Sequence, residues 1–62
     1  MKLKHLLKYF NGYFTVYQYV LGSDIDVAIA THETPEREMK KLLNRKVSHF
    51  TEGDFSIDIY LK

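Results

Sequence analysis

Three aspartates are the residues of this chain whose types and spacing could do chemistry. Asp24 and Asp26 stand two apart in a segment that alternates like a β-strand, and Asp58 lies in a later alternating segment. Alternate residues of a strand point to the same side of a sheet, so two such carboxylates could share a hard cation such as magnesium, with Asp58 as a third ligand. A site of this kind would support phosphoryl transfer.

The segment Gly22-Ser23-Asp24-Ile25-Asp26 resembles the Ser-Asp-x-Asp strand of nucleotidyltransferases. Those enzymes place a Gly-Ser turn and a helix well before the aspartates, whereas here Gly22-Ser23 abuts Asp24. A chain of 62 residues is also too short for the second lobe that grips a nucleotide. We therefore interpret both aspartates as solvated residues beside a hairpin turn, and keep a truncated nucleotidyltransferase as a third hypothesis.

No other pattern in the sequence indicates catalysis or metal binding. The histidines His5, His32 and His49 share no ligand spacing, and cysteine is absent. Neither a Ser/His/Asp order nor a glycine-rich phosphate loop occurs. We expect a protein that is not an enzyme and that holds no metal or cofactor.

A row of tyrosines gives the clearest binding signal. Planar amphipathic rings on an open sheet can stack bases or anchor a protein interface. Aspartates on the same predicted face would repel phosphate, so a protein partner is favoured over nucleic acid. Alternatively, the rings only cover the sheet or form the seam of a homodimer. The candidate partner-binding residues are Tyr13, Tyr17, Tyr19, Asp24, Asp26, Asp58 and Tyr60.

The charges are nearly balanced but segregated along the chain. Nine Lys and Arg against eight Asp and Glu give a net charge of +1. This value is too close to zero to indicate whether the partner is acidic or basic. A basic group at the end of the predicted second helix and just after it, together with the lysines of the first helix, is the alternative, nucleic-acid-binding surface. Its members are Lys40, Lys41, Arg45 and Lys46.

The composition predicts one small folded domain over residues 1–62. The chain is 45% hydrophobic and 15% aromatic, with one Pro and three Gly, and a domain of this size buries roughly 60% of its unfolded surface. The absence of cysteine fits a reducing cytoplasm. The start lacks the apolar run of about 7 to 15 residues that a secretory leader needs, and we expect no membrane association.

Apolar periodicity predicts the first helix and the first hairpin. Leu3, Leu6, Leu7 and Phe10 form the stripe of a helix over residues 2–10, which Asn11-Gly12 would end. A strand is predicted over 13–20, where Phe14, Val16 and Val20 alternate with tyrosines and Thr15. After a turn at 21–24, Ile25, Val27 and Ile29 alternate with Asp24, Asp26 and Ala28 in the second strand.

A second helix and hairpin follow. Thr34-Pro35-Glu36 predicts a helix start, with Thr34 as the cap, and the helix runs to about Asn44. Strands are predicted over 47–51 and 55–61, joined by Glu52-Gly53-Asp54. Val47 and Phe50 stand three apart, which indicates a bulge in the third strand.

The predicted fold is therefore α+β in the order α-β-β-α-β-β, with a four-stranded, mostly antiparallel sheet and two helices on one face. This arrangement buries every apolar stripe, including those of the second strand and the one that begins at Phe55. The other face is predicted to carry the tyrosines and aspartates and to look outward.

The chain as a whole resembles a loose set of small proteins from prophages and conjugative elements of Gram-positive bacteria. The resemblance rests on Met1-Lys2-Leu3-Lys4 with Leu6-Leu7, on Pro35-Glu36, and on the runs 42–47 and 57–61. Some mobile-element proteins of this size are anti-CRISPR proteins that bind and block Cas nucleases. The resemblance implies a phage or mobile-element protein that binds a host protein in the bacterial cytoplasm, with a Cas nuclease as its most concrete partner.

Overall fold

The computed structural model describes residues 1–10 and 12–62, and it confirms the predicted α+β fold and element order. Two helices accompany one four-stranded mixed sheet. The elements are α1 (Leu3–Tyr9), β1 (Tyr13–Val20), β2 (Ile25–Thr31), α2 (Glu36–Met39), β3 (Val47–Glu52) and β4 (Ser56–Leu61). Across the described part of the chain, neither helix is long and apolar enough to cross a membrane.

The strand order is β2-β1-β4-β3. Each hairpin is antiparallel, and the two hairpins meet through a parallel pairing of β1 with β4. The centre of the sheet therefore consists of its first and last strands, while β2 and β3 form the two edges. A parallel pair needs a crossover connection, which the segment around α2 provides.

Helix α1 begins and ends one residue inside its predicted bounds. The predicted stop at Asn11-Gly12 falls partly on Asn11, which lies outside the described residues. At the other end, the backbone N–H groups of Leu3 and Lys4 donate to the carbonyl oxygens of Arg45 and Leu43 at 2.9 and 3.0 Å. These bonds satisfy two donors that a helix start leaves without partners.

Helix α2 is shorter than predicted: it ends at Met39 and does not reach Asn44. Beyond it, the N–H of Leu42 donates to the carbonyl of Met39, and the N–H of Arg45 donates to that of Leu42. These three-residue spacings are those of tight 3₁₀-type turns. The turns present the carbonyls of Leu43 and Arg45 to the backbone N–H groups at the start of α1.

The predicted cap of α2 is also wrong. Pro35 occupies the cap position and no side chain bonds to the free amides there. The Thr34 hydroxyl instead accepts a hydrogen bond of 2.8 Å from the backbone N–H of Thr31. Thr34 therefore stabilises the turn after β2 and does not cap α2.

The core lies between the helices and one face of the sheet. Val16 and Ile59, which are paired neighbours on the two central strands, are completely buried. Leu3 and Leu6 of α1 and Met39 of α2 cover them from one side. The remaining core residues are Ala30, Val47, Ile57 and Leu61.

The predicted burial of the β2 stripe is wrong. Ile25, Val27 and Ile29 are 55%, 41% and 41% exposed, and only Ala30 of this strand joins the core. The reason is position: β2 is an edge strand, and two short helices have too little surface to cover all four strands. Phe55 was also expected in a buried stripe, but it is 86% exposed because it precedes the start of β4.

The predicted bulge in β3 is confirmed. The register shifts between Val47 and His49, so that Val47 pairs with Leu61 and His49 pairs with Tyr60. Val47 is consequently buried on the helix side, whereas His49 lies on the opposite face.

Candidate functional site

The sheet face opposite the helices carries no element of the described chain. We call it the open face. Cross-strand pairing aligns its side chains in rows, since directly paired residues share a face. Its members are Tyr13, Thr15, Tyr17, Tyr19, Asp26, Ala28, Thr31, His49, Thr51, Ser56, Asp58 and Tyr60.

Three aromatic rings stack across the middle of the open face. The ring centroids of Tyr17 and Tyr60 are 5.1 Å apart at an interplanar angle of 15°. The Tyr60 and His49 rings are 4.5 Å apart at 10°. The register sets this row, because Tyr60 pairs with Tyr17 on one side and with His49 on the other. An aromatic platform thus spans β1, β4 and β3.

Two further tyrosines lie along β1 on either side of this stack. Tyr13 is 58% exposed and meets the ring of His32 edge-on, with centroids 4.5 Å apart at 66°. Tyr19 is 42% exposed and pairs with Asp26 of β2. All four predicted tyrosines therefore reach the open face, and none is sealed inside the domain.

The Tyr19 hydroxyl donates a hydrogen bond of 2.5 Å to Oδ1 of Asp24. Asp24 lies in the β1–β2 turn, with φ of 52°. The sequence pattern includes it in the alternation of the second strand, but β2 begins one residue later, at Ile25. This hydrogen bond, then burial and the negative charge of Asp26, raise the pKa of Tyr19 above its usual value. The phenol remains a neutral donor at physiological pH.

Asp58 acts on Tyr17 in a similar way from β4. Its negative charge is the main cause of a raised pKa of the Tyr17 phenol, with burial and Tyr60 adding to the effect. Asp58 is half-buried in the sheet and pairs with Thr15 and Thr51. The open face therefore combines neutral phenols with carboxylates.

The three aspartates do not form a cation site. Asp26 lies opposite Tyr19 and Asp58 opposite Thr15, four residues apart along β1, which is about 13 Å at strand spacing. Asp24 points to Tyr19 from the turn. Over residues 1–10 and 12–62, no three His, Asp or Glu side chains gather closely enough to hold a metal ion. The geometry gives the nucleotidyltransferase hypothesis no support.

The basic group of the alternative surface is partly used inside the domain. The Arg45 guanidinium donates to the side-chain oxygen of Gln18, and to the Lys62 carbonyl at 3.1 Å. Lys41 lies 3.7 Å from a Glu38 carboxylate oxygen. Lys40 and Lys46 are exposed. Two of the four predicted residues are thus already engaged.

Sequence reasoning missed two histidines of the open-face region. His49 enters the stack because the β3 bulge turns it toward Tyr60, and His32 packs against Tyr13 just beyond β2. The predicted bulge was the signal that could have placed His49, because a one-residue shift exchanges the two faces of a strand.

Comparison of the chain with protein-family models, with curated proteins and with solved structures gives no match.

Proposed function

We propose that this protein is a non-catalytic binding protein that engages another protein through its open face. One observation carries the proposal: the stack of Tyr17, Tyr60 and His49 crosses three strands on a face that no other described element covers. Aromatic side chains held rigid before binding lose little conformational entropy when a partner arrives. Such residues provide most of the binding energy in many protein interfaces.

The charges on this face favour a protein over a nucleic acid. Asp24, Asp26 and Asp58 lie around the aromatic rings and would repel a phosphate backbone. Proteins that stack bases on aromatic side chains normally do so in a positively charged groove. Here Lys40 and Lys41, which directly follow α2, lie with the helices on the opposite side of the sheet.

The same charges indicate the chemistry of the partner surface. A lysine or arginine side chain can lie over a tyrosine ring while a nearby carboxylate accepts its hydrogen bonds. Asp58 beside Tyr17, and Asp26 beside Tyr19, each offer this combination. The proposed partner therefore presents basic side chains on a flat surface.

The resemblance to proteins of prophages and conjugative elements gives the proposal its most concrete form, a host nuclease of the Cas type. A nuclease that holds nucleic acid carries basic surfaces, and these are complementary in charge to the open face. In this form the protein inhibits the nuclease by covering such a surface.

Affinity capture tests the proposal. The wild-type domain, the Tyr17→Ala variant and the Tyr9→Ala variant are each immobilised and exposed to a bacterial lysate and to purified Cas nuclease. Tyr9 is the matched control, because it is a 90% exposed tyrosine at the end of α1, away from the open face. We expect a protein retained by the wild type and by Tyr9→Ala and lost by Tyr17→Ala.

Two results would count against the proposal. Retention that is equal for all three proteins would place the contact elsewhere. Retention of nucleic acid that falls steeply with salt and with Lys40→Ala and Lys41→Ala would instead support the basic helical surface. For the nuclease form, DNA cleavage must decline as wild-type protein is added, but not as Tyr17→Ala is added.

A further inference from the structure

Three lysines stand side by side at the end of the sheet where β4 finishes and β3 begins. Lys62 follows β4, Lys46 precedes β3, and Lys2 precedes α1. The backbone N–H of Lys62 donates to the carbonyl of Lys46 at 3.0 Å, and Lys46 forms an antiparallel bridge with Lys2. Residues opposite each other in such pairs have Cα atoms about 4.5–5.5 Å apart. We call these three residues the lysine row.

The lysine row lies on the same side of the sheet as the open face. Val47 follows Lys46 and Leu61 precedes Lys62, and both are buried on the helix side. Because successive side chains of extended backbone point to opposite faces, Lys46 and Lys62 project to the open-face side. Lys2 shares that side, since directly paired residues lie on one face. All three lysines are exposed.

The lysine row is next to the aromatic stack. Tyr60, the middle ring of the stack, precedes Lys62 by two residues, which is about 6.6 Å at strand spacing. The parallel pairing of β1 with β4 brings Tyr19 beside Lys62, at the position after the last pair. Tyr19 in turn pairs with Asp26 of β2. This end of the open face is therefore acidic toward β2 and basic toward β3.

The three ammonium groups are not neutralised by the fold. Among the side chains that the structure describes, no carboxylate forms an ion pair with Lys2, Lys46 or Lys62. The Arg45 guanidinium, which donates to the Lys62 carbonyl, adds a further positive charge nearby. Like charges directly opposite each other destabilise a sheet. A bound anion would remove this cost, so the row has the properties of an anion-binding surface.

We infer that the lysine row binds an acidic segment of a protein, whose successive carboxylates meet successive ammonium groups. The row lies beside the aromatic stack, so one partner can cover both. That this segment belongs to the partner that covers the open face rests on the proposed function. The acidic segment is an addition to the basic side chains that Asp26 and Asp58 would receive.

Two observations favour an acidic protein segment over nucleic acid. Tyr60 has one ring face covered by Tyr17 and the other by His49, so the stack offers a base only its outer faces. Asp26, at the far end of the row, would repel a phosphate backbone that continued across the sheet. A protein surface can change the sign of its charge over the same distance.

The two charged ends determine how the partner is oriented. Charge complementarity across an interface gives specificity and fixes its register more than it adds affinity. A partner with basic side chains toward Asp26 and acidic side chains toward Lys46 meets opposite charges at both ends. The reversed orientation brings like charges together at both ends.

Titration of a hexaglutamate peptide into isotope-labelled protein, followed by NMR, tests the inference. We expect the amide signals of Lys2, Lys46 and Lys62 to shift. In Lys46→Gln the dissociation constant should rise by roughly twofold to fivefold, as for the loss of one exposed ion pair. Lys40→Gln is the matched control, because it removes the same charge from an exposed lysine beside α2. At about 0.1 M salt it should leave the constant nearly unchanged, since more distant charges are screened.

The stability of the free protein separates binding from folding. Lys46→Gln should raise the midpoint of urea unfolding, because it removes the central charge of three. Weaker binding then accompanies higher stability, which misfolding cannot produce. A lower midpoint would show that Lys46 stabilises the fold and would overturn the inference.

Three other results would also overturn it. One is a failure of hexaglutamate to bind, and another is equal weakening by Lys46→Gln and Lys40→Gln. The third is tighter binding of the row to a thymidine oligonucleotide of equal charge, which would assign the row to nucleic acid. Hexaglutamate that fails to bind while Tyr17→Ala still loses a captured protein removes this inference and leaves the proposed function. Hexaglutamate that binds while no protein is captured does the reverse.

Discussion

The hydroxyl of Tyr19 and the carboxylate of Asp24 are joined by a hydrogen bond of 2.5 Å across the β1–β2 turn. They stand five positions apart in the chain, and Asp24 has a left-handed backbone conformation with φ of 52°. The bond fixes one border of the open face, because it holds the Tyr19 ring at the end of β1. The same bond makes the pKa of the Tyr19 phenol depend on the turn residue Asp24.

The two aspartate–tyrosine relationships should be separable by titration. In Asp24→Asn the pKa of Tyr19 should fall toward its ordinary value of 10.0, because the charged acceptor is gone. In Asp58→Asn the pKa of Tyr17 should fall instead, since Asp58 is the main cause of its shift. NMR titration of the tyrosine ring carbons measures both, and each variant is the control for the other. A fall of both values in either variant would contradict this assignment.

The same shifts predict how stability changes in alkali. A phenol whose pKa is higher in the folded than in the unfolded state binds its proton more tightly when folded. Tyr17 and Tyr19 therefore contribute stability that is fully present below pH 10.0 and is lost as pH rises through their raised values. The midpoint of urea unfolding should fall as the pH rises past 10.0, and it should fall less steeply in the Asp24→Asn and Asp58→Asn double variant than in the wild type. An equally steep fall would show that other groups cause the loss.

The backbone conformation of Asp24 predicts which substitutions the turn accepts. Asn adopts the left-handed region readily, whereas a β-branched residue does so only with strain. Asp24→Val should lower the free energy of unfolding by about 1–2 kcal/mol. Asp24→Asn should lower it less, because Asn suits the backbone and keeps an oxygen that can accept from the Tyr19 hydroxyl. Urea denaturation of both variants checks this. Equal losses would mean that the carboxylate, not the backbone, determines the preference.

Two isoleucines on different strands test where the core ends. Ile59 is completely buried on β4, whereas Ile25 is 55% exposed on β2. Ile59→Ala should cost about 3 kcal/mol, a large part of the stability of so small a domain. Ile25→Ala should cost less than about 1 kcal/mol in dilute protein. Similar losses from both, measured by chemical denaturation at low concentration, would show that β2 is covered by its own domain.

Arg45 should act as a structural residue rather than a ligand-binding one. Its guanidinium joins the segment after α2 to Gln18 of β1 and to the carbonyl of Lys62. Arg45→Ala should lower the free energy of unfolding by about 1–3 kcal/mol, as expected for hydrogen bonds from a charged donor. Lys40→Ala, at an exposed position, should change it by less than about 0.5 kcal/mol. Equal losses of stability in Arg45→Ala and Lys40→Ala, measured by thermal or urea unfolding, would show that Arg45 does not stabilise the fold.

Local sequence patterns predicted the bounds of β1 and α1 well, because aromatic and β-branched residues dominate the first segment and leucines form a regular stripe in the second. The aromatic and β-branched run of β1 gave its bounds at Tyr13 and Val20, and the leucine stripe gave α1 to within one residue. The open face followed from this alternation, because two helices can cover only one side of such a sheet. The tyrosines therefore lie where the sequence placed them.

Other features depend on contacts between distant segments and could not be predicted. Helix α2 ends at Met39, and the turns that follow it bond through the carbonyls of Leu43 and Arg45 to α1, a long-range contact that no local propensity reveals. The exposure of Ile25 follows from the edge position of β2, which the parallel pairing of β1 with β4 determines. Strand order is a property of the whole chain, so the alternation of one strand cannot give it.

Tyrosine ring resonances, recorded by NMR as a captured partner is titrated in, distinguish binding through the open face from binding on the helix side. The chain has five tyrosines, of which Tyr13, Tyr17, Tyr19 and Tyr60 lie on the open face and Tyr9 ends α1 on the helix side. Binding through the open face predicts that the four ring signals shift or broaden together while that of Tyr9 stays in place. A partner that moves the Tyr9 signal and leaves the other four unchanged would contradict the account.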